Sequence, residues 1–181
     1  MMKSISKWLL RIAGWKLGPL GDNVPKCVIC VAPHTSNWDF VIGKLFYASI
    51  GRIACFLIKK EWFVFPFNLI FGSMGGIPVD RNKKTSVTDQ MAEEFARRET
   101  FHLAITPEGT RKKTPEWKRG FYFIAQKANV PIMLAYIDYQ KKEVGIKKLF
   151  YPTGDVDADI DAIRSCYNGI TACHPANFVE A

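Results

Sequence analysis

Long apolar runs are missing from this chain. None reaches the ~18 residues that a membrane-crossing helix needs. The longest candidate, WFVFPFNLIFGSMGG, is broken by Pro66, Asn68 and Gly72. No apolar core with a small-residue cleavage site follows the basic start, so no secretory leader is expected. Histidine is scarce: His34, His102 and His174 are scattered, and no metal site is expected from them. The five cysteines are odd in number and lack framework spacing. Cys27 and Cys30 match C-x-x-C, but they lie in a run that reads as a buried strand. Residues three apart on a strand point to opposite faces, so neither a disulfide nor a shared metal is expected there. Free buried thiols and a reducing compartment follow. Repeats, low-complexity tracts and linkers are also lacking, which predicts one domain.

What is present suits a globular fold. The chain has 181 residues, of which 48% are hydrophobic, so a sizeable core is available. Lys and Arg outnumber Asp and Glu by 25 to 17, giving a net charge of +8. That surplus suits an acidic partner such as nucleic acid, anionic lipid or a phosphorylated small molecule, and charge alone does not choose among them.

The first stretch, SISKWLLRIAGWKLG, has helical periodicity. Ile5, Trp8, Leu9, Ile12 and Trp15 share one side, cations fall elsewhere, and Gly18 and Pro19 are expected to end it. It reads either as a membrane-surface helix or as a terminal helix packed on its own domain. Strands are expected at Cys27 to Ala32, Arg52 to Ile58, FHLAIT and VPIMLAYIDY, with KKEVGIKKLFYP pairing with the last of these through a turn. Helices are expected from about Trp38 to Ala48, from Glu61 to Phe71 with a kink at Pro66, and over TSVTDQMAEEFARRE, FYFIAQKA and DVDADIDAIRSCYN. This alternation predicts an α/β domain with a mixed, mostly parallel sheet flanked by helices.

HTSNWD, His34 to Asp39, has two readings. Ser36 with Asp39 three residues later forms a capping box. Alternatively, His34 just beyond a strand's C-terminal end faces the crevice where α/β domains bind ligands, and Asp39 turns back to fix its tautomer. Both hold only if His34 precedes the helix. PEGTR offers an arginine in a polar, glycine-containing loop that suits a phosphate, or a plain basic turn. GGIPVDR and LIKKEW are weak by themselves; each sits just after or beside a strand.

Taken in order, HTSNWD, KKEW, GGIPVDR, PEGTR and VPI resemble the glycerolipid acyltransferase family typified by 1-acyl-glycerol-3-phosphate acyltransferase, from about Val28 to Ile137. The resemblance implies His34 as general base with Asp39 as its partner. It implies Glu108, Gly109, Thr110 and Arg111 as the acceptor-binding block, Gly76 and Arg81 as shaping the acceptor pocket, and Lys59 as a holder of the acceptor phosphate. Val130, Pro131 and Ile132 match a structural block. Trp62 stands where leucine is usual, and Lys112 where serine often follows the arginine.

The implied reaction moves an acyl group from acyl-CoA or acyl carrier protein to the hydroxyl of a lysophosphatidate-like lipid. No bound cofactor, no metal and no nucleic acid are expected. Backbone N–H groups at the helix start after His34 are the expected oxyanion donors. The implied organisation is residues 1–20 as an amphipathic membrane-surface helix, 26–150 as catalytic core and 155–181 as C-terminal helix and tail. A peripheral, monotopic position on the cytoplasmic face of an anionic membrane is expected. Another lysolipid or an N-acyl amino acid as acceptor, a lipid hydrolase and an inactive lipid-binding protein are the alternatives.

Overall fold

The computed structural model describes residues 2–80 and 85–180. Arg81, one of the expected acceptor-pocket residues, lies outside them.

Seven strands form one sheet: β1 (Lys16–Leu17), β2 (Lys26–Ala32), β3 (Cys55–Lys59), β4 (Gly76–Val79), β5 (Phe101–Ile105), β6 (Ile132–Asp138) and β7 (Glu143–Phe150). Their order is β1-β7-β6-β2-β5-β3-β4, and every neighbouring pair is parallel except β6 with β7. Among the described residues, six α-helices flank it: α1 (Met2–Ile12), α2 (Asn37–Ser49), α3 (Phe67–Ser73), α4 (Val87–Arg97), α5 (Gly120–Ala128) and α6 (Val156–Ser165).

The central strand β2 is covered on both faces, which explains its unbroken apolar run. Cys27 and Ile29 pack with Leu10 of α1 and Ile42, Phe46 and Tyr47 of α2. Val28, Cys30 and Ala32 pack with Phe95 of α4, Ile124 of α5 and Ile163 of α6. Cys27 and Cys30 therefore enter different cores, and burial pushes the Cys27 thiol up to about 12. All five cysteines are free.

Because β2, β3 and β5 run parallel, their C-terminal ends open on one rim. His34 follows β2 there, Lys59 ends β3, and the Glu108–Arg111 loop follows β5. This shared rim is what the connectivity of a parallel sheet supplies to a site.

Two expected helices differ. α1 stops at Ile12, and the chain turns at Gly14 (φ +78°) rather than at Gly18, so Trp15 leaves the helix and β1 begins. A two-residue edge strand carries too little pattern to be read from sequence. The stretch from Glu61 to Phe71 is not one kinked helix: a 3-10 turn covers Lys60–Trp62, and α3 starts only after Pro66. Proline fits just before a first helical turn, where no intrahelical donor is missed.

α1 packs on the domain with only a small part of its surface buried. It packs inward through Ser6 and Leu10, while Ile5, Trp8 and Ile12 are 49%, 60% and 61% exposed. The helix is docked on the domain, and the apolar stripe expected from its periodicity faces outward. No helix among the described residues is long and apolar enough to cross a membrane.

Candidate active site

Ser36, in extended backbone (φ −141°, ψ 155°), caps α2, with its hydroxyl accepting from the Trp38 N–H. The Asp39 carboxylate completes the box by reaching back over the turn. Its Oδ2 accepts the N–H groups of Thr35 and Ser36, both at 2.8 Å. The same Oδ2 lies 3.2 Å from His34 Nδ1. The carboxylate that completes the capping box is thus also the one that meets the His34 ring. Asp39 is 2% exposed, and its Oδ1 takes the Tyr139 hydroxyl at 2.5 Å.

The electrostatics follow from these contacts. Burial pushes the Asp39 carboxyl up, but hydrogen bonds from His34, Tyr139 and the Ser36 backbone, with the attraction of His34, outweigh it and leave it below the ordinary value. An ionised Asp39 accepts only. The proton in this contact therefore lies on His34 Nδ1, and Nε2 is the ring nitrogen left for other partners.

Glu108 supports the dyad from the neighbouring strand's loop. Its Oε1 accepts the His34 backbone N–H at 2.9 Å, which fixes the histidine's backbone across the β2–β5 gap. Its Oε2 is buried without a hydrogen-bond partner. Burial raises the Glu108 carboxyl, offset in part by that N–H. Gly109 (φ +62°) makes the turn after it, and a Cβ there would meet the Lys118 side chain at 2.8 Å. The positive φ strains any side chain at this position, whereas the flexible end of Lys118 can move aside.

A cavity of about 860 Å³ adjoins the dyad. His34, Asp39, Gly109 and Arg111 line it, together with apolar side chains including Ile29, Val31, Phe56 and Ile105. The volume falls in the range of small-molecule sites, with the polar groups gathered on a few residues. Arg111 is exposed and bonds Asn37 Oδ1 at the start of α2.

The remaining expected residues fall elsewhere. Thr110 Oγ1 accepts the Lys112 N–H at 3.2 Å and shapes the loop. Lys59 is exposed at the end of β3 and does not line the cavity. Gly76 is buried in β4, where a Cβ would stand 2.8 Å from the Phe71 carbonyl, so it lets α3 approach the sheet rather than facing the cavity. Of the backbone N–H groups that follow His34, those of Thr35 and Ser36 go to Asp39 and that of Trp38 goes to the Ser36 hydroxyl. His102 is a core residue, bonded through Nε2 to the Val24 carbonyl and edge-on to Tyr47.

Two residues of the site were not visible in sequence. Tyr139 follows β6, whose pairing with β2 only the fold reveals. Lys44 lines the cavity from α2, donating to the carbonyls of Ala54 (2.8 Å) and Met74 (2.5 Å), and burial lowers its pKa.

A family model described as Acyltransferase matches residues 21–137, which includes the whole of this rim. The chain belongs to the acyltransferase family. Over 162 residues it is 26% identical to 1-acyl-sn-glycerol-3-phosphate acyltransferase beta of Homo sapiens; the match covers 85% of this chain and 56% of that protein. The chain therefore spans little more than half the length of this curated relative. The fold is similar to that of the crystal structure of the 1-acyl-sn-glycerophosphate (LPA) acyltransferase, PlsC, from Thermotoga maritima. The TM-score is 0.59 at 18% identity, covering 90% of this chain and 75% of the other. That likeness bears out the expected α/β acyltransferase fold, with its mostly parallel sheet and an N-terminal helix.

Proposed function

We propose that this protein is an O-acyltransferase that transfers a fatty acyl group from acyl-CoA or acyl carrier protein to the hydroxyl of a lysophosphatidate-like glycerolipid. The observation that carries this reading is the His34–Asp39 contact of 3.2 Å on the wall of an 860 Å³ cavity that Arg111 also lines. A base, an apolar space for a chain and a phosphate-sized cation meet in one place.

The chemistry follows. His34 Nε2 removes the proton of the acceptor hydroxyl, and Asp39 stabilises the imidazolium that forms. The oxygen attacks the thioester carbonyl, forming a C–O bond and a tetrahedral oxyanion. Lys118, which lines the same cavity, is the cation proposed to meet that charge. Collapse breaks the C–S bond, and the departing thiolate recovers the proton from His34. No covalent acyl-enzyme is needed.

Arg111 supports a phosphate-bearing acceptor. A guanidinium binds two phosphate oxygens at once, in a geometry that a lysine does not reproduce. Arg111→Ala is expected to raise the KM for a phosphate-bearing lysolipid about tenfold, with kcat little changed, and to leave phosphate-free acceptors unaffected. A panel of lysolipids with and without the phosphate, assayed on both proteins, checks this. An effect confined to the acyl donor would move Arg111 to another role.

The outward apolar residues of α1 support a peripheral position on a membrane surface. Ile5, Trp8 and Ile12 are exposed, and Lys3, Lys7 and Arg11 flank them, the combination that an anionic bilayer surface attracts. Trp62, Phe65, Phe67 and Leu69, all more than half exposed, add apolar surface after β3. Replacing Trp8 and Ile12 together by glutamate is expected to weaken sedimentation with phosphatidylglycerol vesicles at least about tenfold without loss of folding. Unchanged vesicle binding would remove α1 from that role.

A further inference from the structure

Asp39 is held from two sides. Its Oδ2 takes the His34 ring and two backbone N–H groups, whereas the bond at Oδ1 comes from the Tyr139 hydroxyl at 2.5 Å. Tyr139 is itself well anchored. Its backbone N–H donates to the Thr171 carbonyl at 2.8 Å. Its ring meets the Trp15 ring edge-on, with centroids 5.1 Å apart and planes at 87°. Tyr139, at the end of β6, is thus held by two segments distant in sequence, its backbone by the C-terminal stretch and its ring by Trp15 beyond α1.

We propose that Tyr139 is a positioning residue for the His34–Asp39 pair. Its hydroxyl pins Asp39 Oδ1 and takes up part of the carboxylate's charge, leaving His34 available as a base. A carboxylate 3.2 Å from an imidazole favours the protonated ring, and a protonated ring accepts nothing from a substrate hydroxyl. A short O–H···O bond to the far oxygen draws charge away from the side that faces His34. Tyr139 keeps its own proton for this purpose, since burial first, and the Asp39 bond second, push its pKa upward. Other ionisable groups around the pair are Glu108, bonded to the His34 backbone, Cys173 beside the Tyr139 hydroxyl, and Arg111 on the cavity wall. None of these donates to Asp39 Oδ1.

This inference rests on the proposed acyl transfer for its kinetic arm but not for its spectroscopic one. Tyr139→Phe keeps the ring, the Trp15 contact and the backbone bond, and deletes only the hydroxyl. The acid limb of the pH profile of kcat/KM is expected to move up by about half a unit or more. Turnover below neutrality then falls about three- to tenfold, and the deficit narrows once pH exceeds the shifted limb. The acceptor KM is expected to stay within about twofold.

Histidine NMR reads the same pair without turnover. The chain has only three histidines, so His34→Ala identifies the His34 signal. Its titration midpoint is expected to rise in Tyr139→Phe by an amount similar to the kinetic shift. An acid limb and a midpoint that both stay at native values would overturn the proposal, whatever happens to the rate. If no acyl transfer is detected in either protein, the proposed reaction fails, and the NMR midpoint alone decides the role of Tyr139.

Discussion

His34→Ala is expected to lower kcat/KM for acyl transfer by about 10³- to 10⁴-fold, the scale of losing a positioned general base. The fold is expected to survive. The side chain is 17% exposed, stands at the rim beyond β2, and has one side-chain partner, Asp39. Its backbone N–H, bonded to Glu108, remains in the variant. A melting temperature within a few degrees of native, measured beside the lost turnover, separates a chemical role from a structural one. Turnover within tenfold of native would remove His34 from the mechanism.

Asp39→Ala is expected to cost both activity and stability, and this contrast identifies the carboxylate's double duty. Activity falls by about 10²- to 10⁴-fold because the imidazole loses the group that sets its tautomer and stabilises its cation. Stability falls by about 2–4 kcal/mol, because the Asp39 half of the capping box is lost and two buried backbone donors and a half-buried tyrosine hydroxyl lose their acceptor.

The pH dependence has a definite sign. The Asp39 carboxyl lies below its ordinary value in the fold, as its hydrogen bonds outweigh burial. Its stabilisation is therefore complete above the unfolded pKa of about 3.9 and is lost as pH falls through the lower folded value. Urea denaturation at neutral pH should show the widest gap between native and variant, and the gap should narrow under acid. A gap that does not change with pH would mean that the charged form of Asp39 contributes nothing to the cap.

Much of this site is legible in sequence because it is local. Ser36 and Asp39 are three residues apart, the distance of one helical turn, and His34 is placed just outside that turn by the strand that ends at Ala32. The β–α alternation likewise foretells a parallel sheet, which brings the His34 and Glu108 loops to one rim. What sequence does not carry is lateral order. Nothing in the chain says that β6 lies beside β2, so Tyr139 is invisible until the sheet is assembled.

The same gap explains α1. Periodicity identifies its apolar stripe correctly, but not which side the domain uses. Leu10, outside the stripe, is the buried anchor, and Trp15, expected within it, leaves the helix to meet Tyr139. Gly76 shows the limit of motif reading: its lack of a side chain is used against the α3 backbone.

The most direct measurement supplies the protein with an isotopically labelled acyl thioester, with and without a lysophosphatidate acceptor, and follows lipid and intact-protein masses through a single turnover. The account predicts a labelled diacyl product only when acceptor is present, loss of that product in His34→Ala, and no added acyl mass on the protein at any time. Labelled free fatty acid released without acceptor, or a protein carrying the acyl group on the path to product, would contradict it.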